Sequence, residues 1–147
     1  MINITKKIAV VIPFDYEIYF SRGKKEIDVN KLLTTYSSFH IQWAKAFRGS
    51  DFDTKLFYIS SSDIKVQERD HKSGIKMISC PVLFNFKSHK NNISLKMINS
   101  IKAFNPDLIL IMDFSWVQSF IMTPLLSSSK CLIINRNAGS DIEKDLF

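Results

Sequence analysis

The stretch that decides the fold is Ile-Ala-Val-Val-Ile-Pro at residues 8–13, an unbroken run of mostly branched apolar side chains. A strand with one solvated face alternates apolar and polar residues, whereas a strand covered on both faces does not. The run therefore predicts the central strand of a parallel sheet. Because it is short and ends at Pro13, we do not expect it to be the core of a signal peptide.

Four further apolar runs predict the other strands of this sheet. They lie at residues 55–60, 75–83, 108–112 and 131–135. The polar segment between the second and third runs, residues 61–73, is expected to be a solvated connection.

Three segments between the runs have the spacing of helices. Apolar residues recur every three or four positions from Leu32 to Phe47, and again after Asn92, which is expected to cap the second helix. That helix should stop before Asn105-Pro106, since the residue preceding a proline disfavours helical geometry. The third helix is expected from Ser115 to about Leu126.

Strands that alternate with helices indicate right-handed βαβ units. We therefore predict a single α/β domain over residues 1–147, with a doubly wound, mostly parallel, Rossmann-like sheet of five or more strands. The stretch from Leu108 to Leu126 is apolar enough to resemble a membrane span, but Asp113 and Pro124 interrupt it. A buried strand followed by a helix is the better interpretation.

Glycine content excludes the common nucleotide motifs. The chain has 4 glycines, at positions 23, 49, 74 and 139, so neither a G-x-G-x-x-G turn nor a Walker-type phosphate loop can form. No serine lies in a G-x-S-x-G elbow, and the histidines and cysteines lack the spacing of common zinc sites. We predict no metal site and no cofactor.

The net charge of +6 is compatible with a polyanion, a phosphorylated small molecule or an anionic membrane surface. Aromatic residues do not alternate with Lys and Arg along one strand, so nucleic acid is not an expected partner.

The two cysteines, Cys80 and Cys131, lie in or beside apolar runs and suit a reducing compartment. These features favour a cytoplasmic location.

In open parallel sheets, ligands bind outside the carboxyl ends of the strands. The loop after the fourth predicted strand offers Asp113 and Trp116 as candidate substrate-binding residues. Asp113 has the alternative role of capping the next helix, which the sequence favours over substrate contact. For Trp116, packing into the core is favoured over stacking on a sugar.

Two other loops contribute basic and polar candidates at the same edge. Arg22, Gly23 and Lys24 lie in an Arg-Gly-Lys-Lys stretch after the first strand, and could meet an anionic group or remain a solvated basic loop. Arg136 and Asn137 follow the fifth strand. None of these residues is assigned a catalytic role by its pattern.

Lysines around the second predicted helix suggest a different kind of partner. Lys90, Lys96 and Lys102 could lie against an anionic bilayer, beside exposed Ile, Leu or Met residues. This interpretation predicts peripheral contact with the inner face of the membrane. A core-packed helix with a solvated lysine face is the favoured alternative.

The order of these pieces resembles the N-terminal domain of GT-B-fold glycosyltransferases, especially the retaining group that builds bacterial polysaccharides. The resemblance covers roughly residues 6–140 and is carried by several stretches. They read KIAVVIP at the start, SRGKK in the first loop, AKAFRGSDFDTKLFYIS, then GIKMI, and finally IKAFNPDLILIMD, where Pro106-Asp107 leads into an apolar strand.

The resemblance implies the acceptor-side domain of an enzyme that transfers a sugar from a nucleotide-sugar to a sugar or lipid-linked acceptor. In that family the donor lies mainly on a C-terminal domain with two glutamates seven residues apart. No two glutamates of this chain have that spacing. We therefore expect the donor-binding domain to be missing, and the chain to be inactive alone.

Two further departures affect the site. Family members often carry a Gly-Gly pair in the first loop, where this chain has only Gly23, and many place a histidine where it has Arg136-Asn137. The alternative function is a non-enzymatic Rossmann-like module that binds a small anion or a protein partner.

Overall fold

A computed structural model describes residues 5–21, 31, 35, 38–47, 49, 51–113, 116–127 and 132–135. Strands and helices follow one another along this part of the chain. The strands are β1 (Lys6–Asp15), β2 (Phe52–Ser60), β3 (Gln67–Asp70), β4 (Lys76–Pro81), β5 (Leu108–Ile111) and β6 (Leu132–Asn135). The helices are α1 (Tyr16–Ser21), α2 (Phe39–Ala46), α3 (Leu95–Phe104) and α4 (Val117–Leu126).

The described strands form one 6-stranded sheet with the order β3-β4-β2-β1-β5-β6. Neighbouring strands are parallel throughout, except that β3 pairs antiparallel with β4. This is the predicted α/β architecture with a doubly wound, mostly parallel sheet, and β1 lies inside the sheet as the run at residues 8–13 indicates.

Each face of the sheet carries its own hydrophobic core. Ile8, Val10 and Ile12 face α1 and α2, whereas Ala9 and Val11 lie on the opposite face with residues of α3 and α4. All five side chains are almost completely buried. The helices on both faces explain why β1 has no polar alternation.

The entry into β5 is fixed by the residues before it. Asn105 ends α3 in the left-handed conformation, with φ of 54°, and its N–H donates to the carbonyls of Ile101 and Lys102. Asp107 then joins the start of β1, since its carboxylate accepts from the Lys7 N–H at 2.9 Å. The predicted end of this helix before Asn105-Pro106 is confirmed.

The predicted cap of the same helix is wrong. α3 begins after Ser94, whose Oγ accepts from the Met97 N–H at 3.2 Å and donates to the Pro81 carbonyl at 2.7 Å. Asn92 is also buried, but its side chain binds Asp15 and the Phe86 N–H instead. Ser94 and Asn92 are both good capping residues, so the local pattern could not separate them.

The prediction for residues 61–73 is also wrong in part, because this segment contains β3. Arg69 on this strand is held by Asp63 and Ser79, and exposed ion pairs join Lys55 to Glu68 and Lys76 to Asp70. A four-residue strand of charged residues at a sheet edge has no apolar periodicity for sequence reasoning to detect.

The remaining boundaries differ by a few residues from the prediction. Strand β2 begins at Phe52, β4 ends at Pro81, and α4 begins at Val117. Leu32 and Tyr36 of the first predicted helix lie outside the described residues. In the described part of the chain, no helix combines the length and apolar character needed to cross a membrane.

Candidate functional site

The strand order puts a topological switch point between the carboxyl ends of β1 and β5, and we call the region at this point the crevice. From β1 the chain moves outward to β2 and β4, and then returns to β5 on the other side of β1. The connections that leave β1 and β5 therefore cover opposite faces of the sheet, which is the arrangement that opens a ligand crevice in doubly wound folds. The candidate site is built from the residues around this point.

A bulge at the end of β1 shapes one side of the crevice. Ile12 pairs with Tyr58 of β2, but the next paired residue is Asp15, so Pro13 and Phe14 are additional residues in β1. Proline has no N–H to give to the ladder, which accounts for a bulge at this position. The strand continues past the bulge and ends at Asp15, whose side chain is completely buried.

Asp15 connects three parts of the site. One carboxylate oxygen accepts from the Ile18 N–H at 3.0 Å, and the other accepts from Asn92 Nδ2 at 2.9 Å. Its own N–H donates to the His89 carbonyl at 3.2 Å. Since a buried carboxylate is tolerated only when it is hydrogen-bonded, Asp15 fixes the loop around His89 and Asn92 to the end of β1.

Aromatic rings cover the crevice side of this junction. Phe14 lies at the centre, with ring centroids 5.1 Å from both Tyr19 and Trp116, and 5.7 Å from His40. His89 lies 5.3 Å from Trp116. Tilted and edge-on contacts of this kind stabilise a rigid aromatic wall. The wall includes the imidazole rings of His40 and His89.

Trp116 packs inward, as the sequence favoured. Its side chain is 6% exposed, and the Lys90 ammonium lies 5.8 Å from its ring centroid. The indole Nε1 is buried, and no hydrogen-bond partner for it is present among the described residues. The ring therefore forms part of the wall, while its direct contact with a substrate stays a prediction.

Asp113 follows β5 but does not cap α4. The cap position belongs to Trp116, which makes no side-chain cap hydrogen bond, so the favoured capping role is wrong. The Asp113 carbonyl accepts from Ser119 Oγ at 2.6 Å, which holds the loop against the helix. Its carboxylate is half-buried at the crevice edge, where substrate contact stays a prediction.

Glu17 supplies a second buried acid at the end of β1. One of its oxygens accepts from Ser62 Oγ at 2.6 Å and from the Ser62 N–H at 3.3 Å. The other, Oε1, is buried and has no hydrogen-bond partner among the described residues. A buried carboxylate oxygen without a donor is costly, and Oε1 is an acceptor that the described side chains leave unused.

A polar network supports Glu17 from the side of β2 and β4. Arg69 binds both oxygens of Asp63, at 2.8 and 2.9 Å, and also donates to Ser79 Oγ and the Tyr58 hydroxyl. Burial works to raise the pKa of Asp63, but the hydrogen bonds from Arg69 and Ser79 outweigh it and hold the pKa below its usual value. Burial raises the pKa of Tyr58 to about 12, so this hydroxyl stays protonated.

The sequence identified only part of this site. Of the predicted substrate-binding residues, Asp113 and Trp116 follow β5 together, whereas Arg22, Gly23, Lys24, Arg136 and Asn137 lie outside the described residues. Sequence reasoning missed Asp15, Glu17, His89 and Asn92. Asp15 had one usable signal, because an acid directly after a buried central strand falls at the crevice edge.

The described side chains can perform recognition more readily than covalent chemistry. Carboxylates accept hydrogen bonds from hydroxyl groups, whereas the rings of Phe14 and Trp116 are buried in the core and support the site from behind. No group of three or more His, Cys, Asp and Glu side chains that could hold a metal ion occurs in the described ranges. The thiol of Cys80 is buried, which raises its pKa to about 12 and makes it a poor nucleophile.

A second cleft of 440 Å³ lies away from the crevice, beside α3. Apolar side chains of Phe57 and Ile78 contribute to its lining. The ammonium groups of Lys7 and Lys55 lie 5.5 and 5.3 Å from the ring centroid of Phe104. Lys7 and Lys55 are near the amino ends of β1 and β2, so this cleft is separate from the switch point.

Comparison with family models, curated proteins and solved structures gives no match to this chain.

Proposed function

We propose that this chain is the acceptor-side domain of a GT-B-like glycosyltransferase, which transfers a sugar from a nucleotide-sugar donor during polysaccharide or glycoconjugate synthesis. A separate donor-binding domain would complete the enzyme. The observation that carries the proposal is the crevice at the switch point of a doubly wound sheet, with buried acids and an aromatic wall at its edge.

The chemistry of the crevice supports a hydroxylated ligand. Glu17 Oε1 has an acceptor position that the described residues leave unused, and the half-buried Asp113 follows β5 on the other side of β1. Such acceptors can orient an attacking sugar hydroxyl, and orientation alone supplies a substantial part of the rate enhancement in group transfer. Asp15 acts as a positioning residue, because its hydrogen bonds are used within the protein.

Basic and polar residues outside the described part of the chain complete the proposal. Arg22, Gly23, Lys24, Arg136 and Asn137 follow strands whose carboxyl ends meet at the crevice. In the assembled enzyme they would face the donor diphosphate, where positive charge stabilises the leaving group. The donor domain then supplies the remaining contacts to the nucleotide.

The test is a transfer assay on the chain mixed with the polypeptide encoded next to it. UDP-, GDP- and TDP-sugars serve as donors, and product formation is measured by release of nucleoside diphosphate. We expect no transfer by the chain alone and transfer by the mixture. Glu17→Gln should lower kcat/KM of the mixture by roughly 10- to 100-fold, since it weakens an acceptor that binds the substrate hydroxyl.

Glu68→Gln is the matched control, because Glu68 lies on the exposed edge strand β3 and binds only surface lysines. It should leave kcat/KM unchanged. If no mixture shows transfer while the chain binds an unrelated ligand tightly, the glycosyltransferase proposal is wrong.

Binding of a small anion by a non-enzymatic module is the second candidate function. The cleft beside α3 favours it through Lys7 and Lys55, which flank the Phe104 ring there, although Asp53 also lines the cleft. Lys55 is paired with Glu68, however, which weakens its attraction for a free anion. Anion binding that is lost in Lys7→Gln, without transfer in any mixture, would support this second function over the first.

A further inference from the structure

Large apolar side chains are exposed in one region around the amino ends of α3 and α4. We call this region the apolar patch. Its members are Leu83, Phe84, Phe86, Leu95, Val117 and Phe120. Phe84 is 61% exposed and Phe120 is 57% exposed, values unusual for phenylalanine in a folded domain. Exposed apolar clusters of this kind commonly mark an interaction surface.

Helix α4 contributes one side of the apolar patch because it buries polar side chains and exposes apolar ones. Gln118 and Ser119 are buried, where they hydrogen-bond to Ser94 and the Asp113 carbonyl. Val117 and Phe120, three residues apart, are exposed. The helix has no charged residue, so its exposed side lacks the polar face that a surface helix usually presents to water.

Hydrogen bonds hold the separate segments of the apolar patch together. The Gln118 side chain binds both the N–H and the carbonyl of Ser94, at 2.9 and 3.0 Å, so the starts of α3 and α4 are neighbours. Phe84 forms a bridge with Ile93, and the Phe86 N–H donates to Asn92. These contacts place residues 83–86 next to Leu95 and Val117.

The segments that form the apolar patch carry charge of a single sign, although Asp15 and Asp113 lie beside them. Residues 71–106 and 116–127 contain no Asp or Glu, and every cation in them is a lysine. Lys87, Lys90 and Lys96 lie within the segments that form the patch. A bilayer with acidic lipids is complementary to apolar side chains with a fringe of lysine, since the first insert and the second meet the headgroups.

We infer that the apolar patch docks the protein on the surface of an anionic lipid bilayer. Phe84, Phe86 and Phe120 enter the boundary between headgroups and acyl chains, while Lys87 and Lys96 contact acidic headgroups. The apolar patch borders the crevice at Asn92 and Trp116, but the inference is tested apart from the proposed glycosyl transfer, because vesicle binding needs no donor or acceptor.

The composition of the patch favours a bilayer over a protein partner. Protein interfaces are enriched in arginine and depleted in lysine, whereas lysine beside Phe and Leu is the usual composition of interfacial membrane helices. The described segments around the patch have lysine alone. A second copy of this chain would also place lysines against lysines, which is unfavourable.

Sedimentation with lipid vesicles tests the inference on the full chain. Vesicles of phosphatidylcholine with about 30 mol% phosphatidylglycerol should bind the chain, and vesicles of phosphatidylcholine alone should bind it at least ~10-fold more weakly. Binding should also fall as salt is raised, because part of it is electrostatic. Phe84→Ser with Phe120→Ser should reduce partitioning to acidic vesicles by ~10-fold or more.

Ile64→Ser is the matched control, since Ile64 is 96% exposed in the turn before β3, in a different part of the chain. It should leave vesicle binding unchanged, and circular dichroism should show that all variants are folded. Equal binding to acidic and neutral vesicles would overturn the inference, and so would undiminished binding of the variant with Phe84→Ser and Phe120→Ser. So would a patch-dependent dimer that does not bind vesicles.

Discussion

At the scale of single residues, the crevice depends on a carboxylate that the sequence pattern did not single out. Asp15 and Asn92 are 77 positions apart, yet their side chains meet at 2.9 Å with both residues buried. The local sequence around either residue does not predict this contact. It is created by the return of the chain to the centre of the sheet, which is a property of the topology.

The contact can be measured by a double-mutant cycle on Asp15→Ala and Asn92→Ala. Each single change leaves a buried polar group without its partner, so each should lower the free energy of unfolding by about 2–3 kcal/mol. The double variant should lose about 1–2 kcal/mol less than the sum, because the second change removes a group that is already unpaired.

Urea unfolding monitored by circular dichroism provides the free energies for this cycle. Asn91→Ala is the control, since Asn91 is exposed and adjacent to Asn92. It should change stability by less than about 0.5 kcal/mol. Strictly additive losses in the cycle would show that Asp15 and Asn92 do not act together.

At the scale of elements, the best predicted segments are those with strong apolar character. The central strand β1 and the ending of α3 at Asn105-Pro106 follow from local composition and backbone chemistry. The start of α3 and the whole of β3 do not, because they depend on side-chain partners in other elements. Ser94 is selected by the Pro81 carbonyl and Gln118, and Arg69 is held through Asp63 and Ser79.

The attachment of β3 should depend on pH through Asp63. Its pKa is below the usual 3.8 in the folded state, so its stabilising contribution is present above that value and is lost as pH falls through the lower folded-state pKa. Asp63→Asn should lower the free energy of unfolding by about 2 kcal/mol near neutral pH, because it weakens a largely buried pair with Arg69.

The free energy of unfolding of Asp63→Asn is lower than that of the unaltered chain, and this difference should shrink as pH falls below about 4. Urea titrations at a series of pH values measure it. Glu68→Gln, which removes exposed ion pairs, is the control and should cost less than about 1 kcal/mol at every pH. A deficit that is the same at acidic and neutral pH would rule out the charge of Asp63 as the cause.

At the scale of the whole molecule, the fold class could be predicted because apolar runs and helical spacing alternate along the chain. The position of the crevice could be predicted from that topology, but only some of the residues that line it could be predicted. Asp113 and Trp116 were found because they follow a predicted strand. Glu17 was missed because it lies in a segment without apolar periodicity, which was expected to be a loop but forms helix α1. His89 was missed because it reaches the site only through the packing of Phe14, Tyr19 and Trp116.

The central claim is that the crevice between β1 and β5 receives a sugar substrate. Amide chemical shifts of the isotopically labelled chain, titrated with methyl glycosides of common hexoses and with UDP-, GDP- and TDP-sugars, test it most directly. We predict shift changes centred on residues 15–19, 89–92 and 116–119. Shift changes centred instead on Lys7, Lys55 and Phe104, or none with any of these sugars, would contradict the claim.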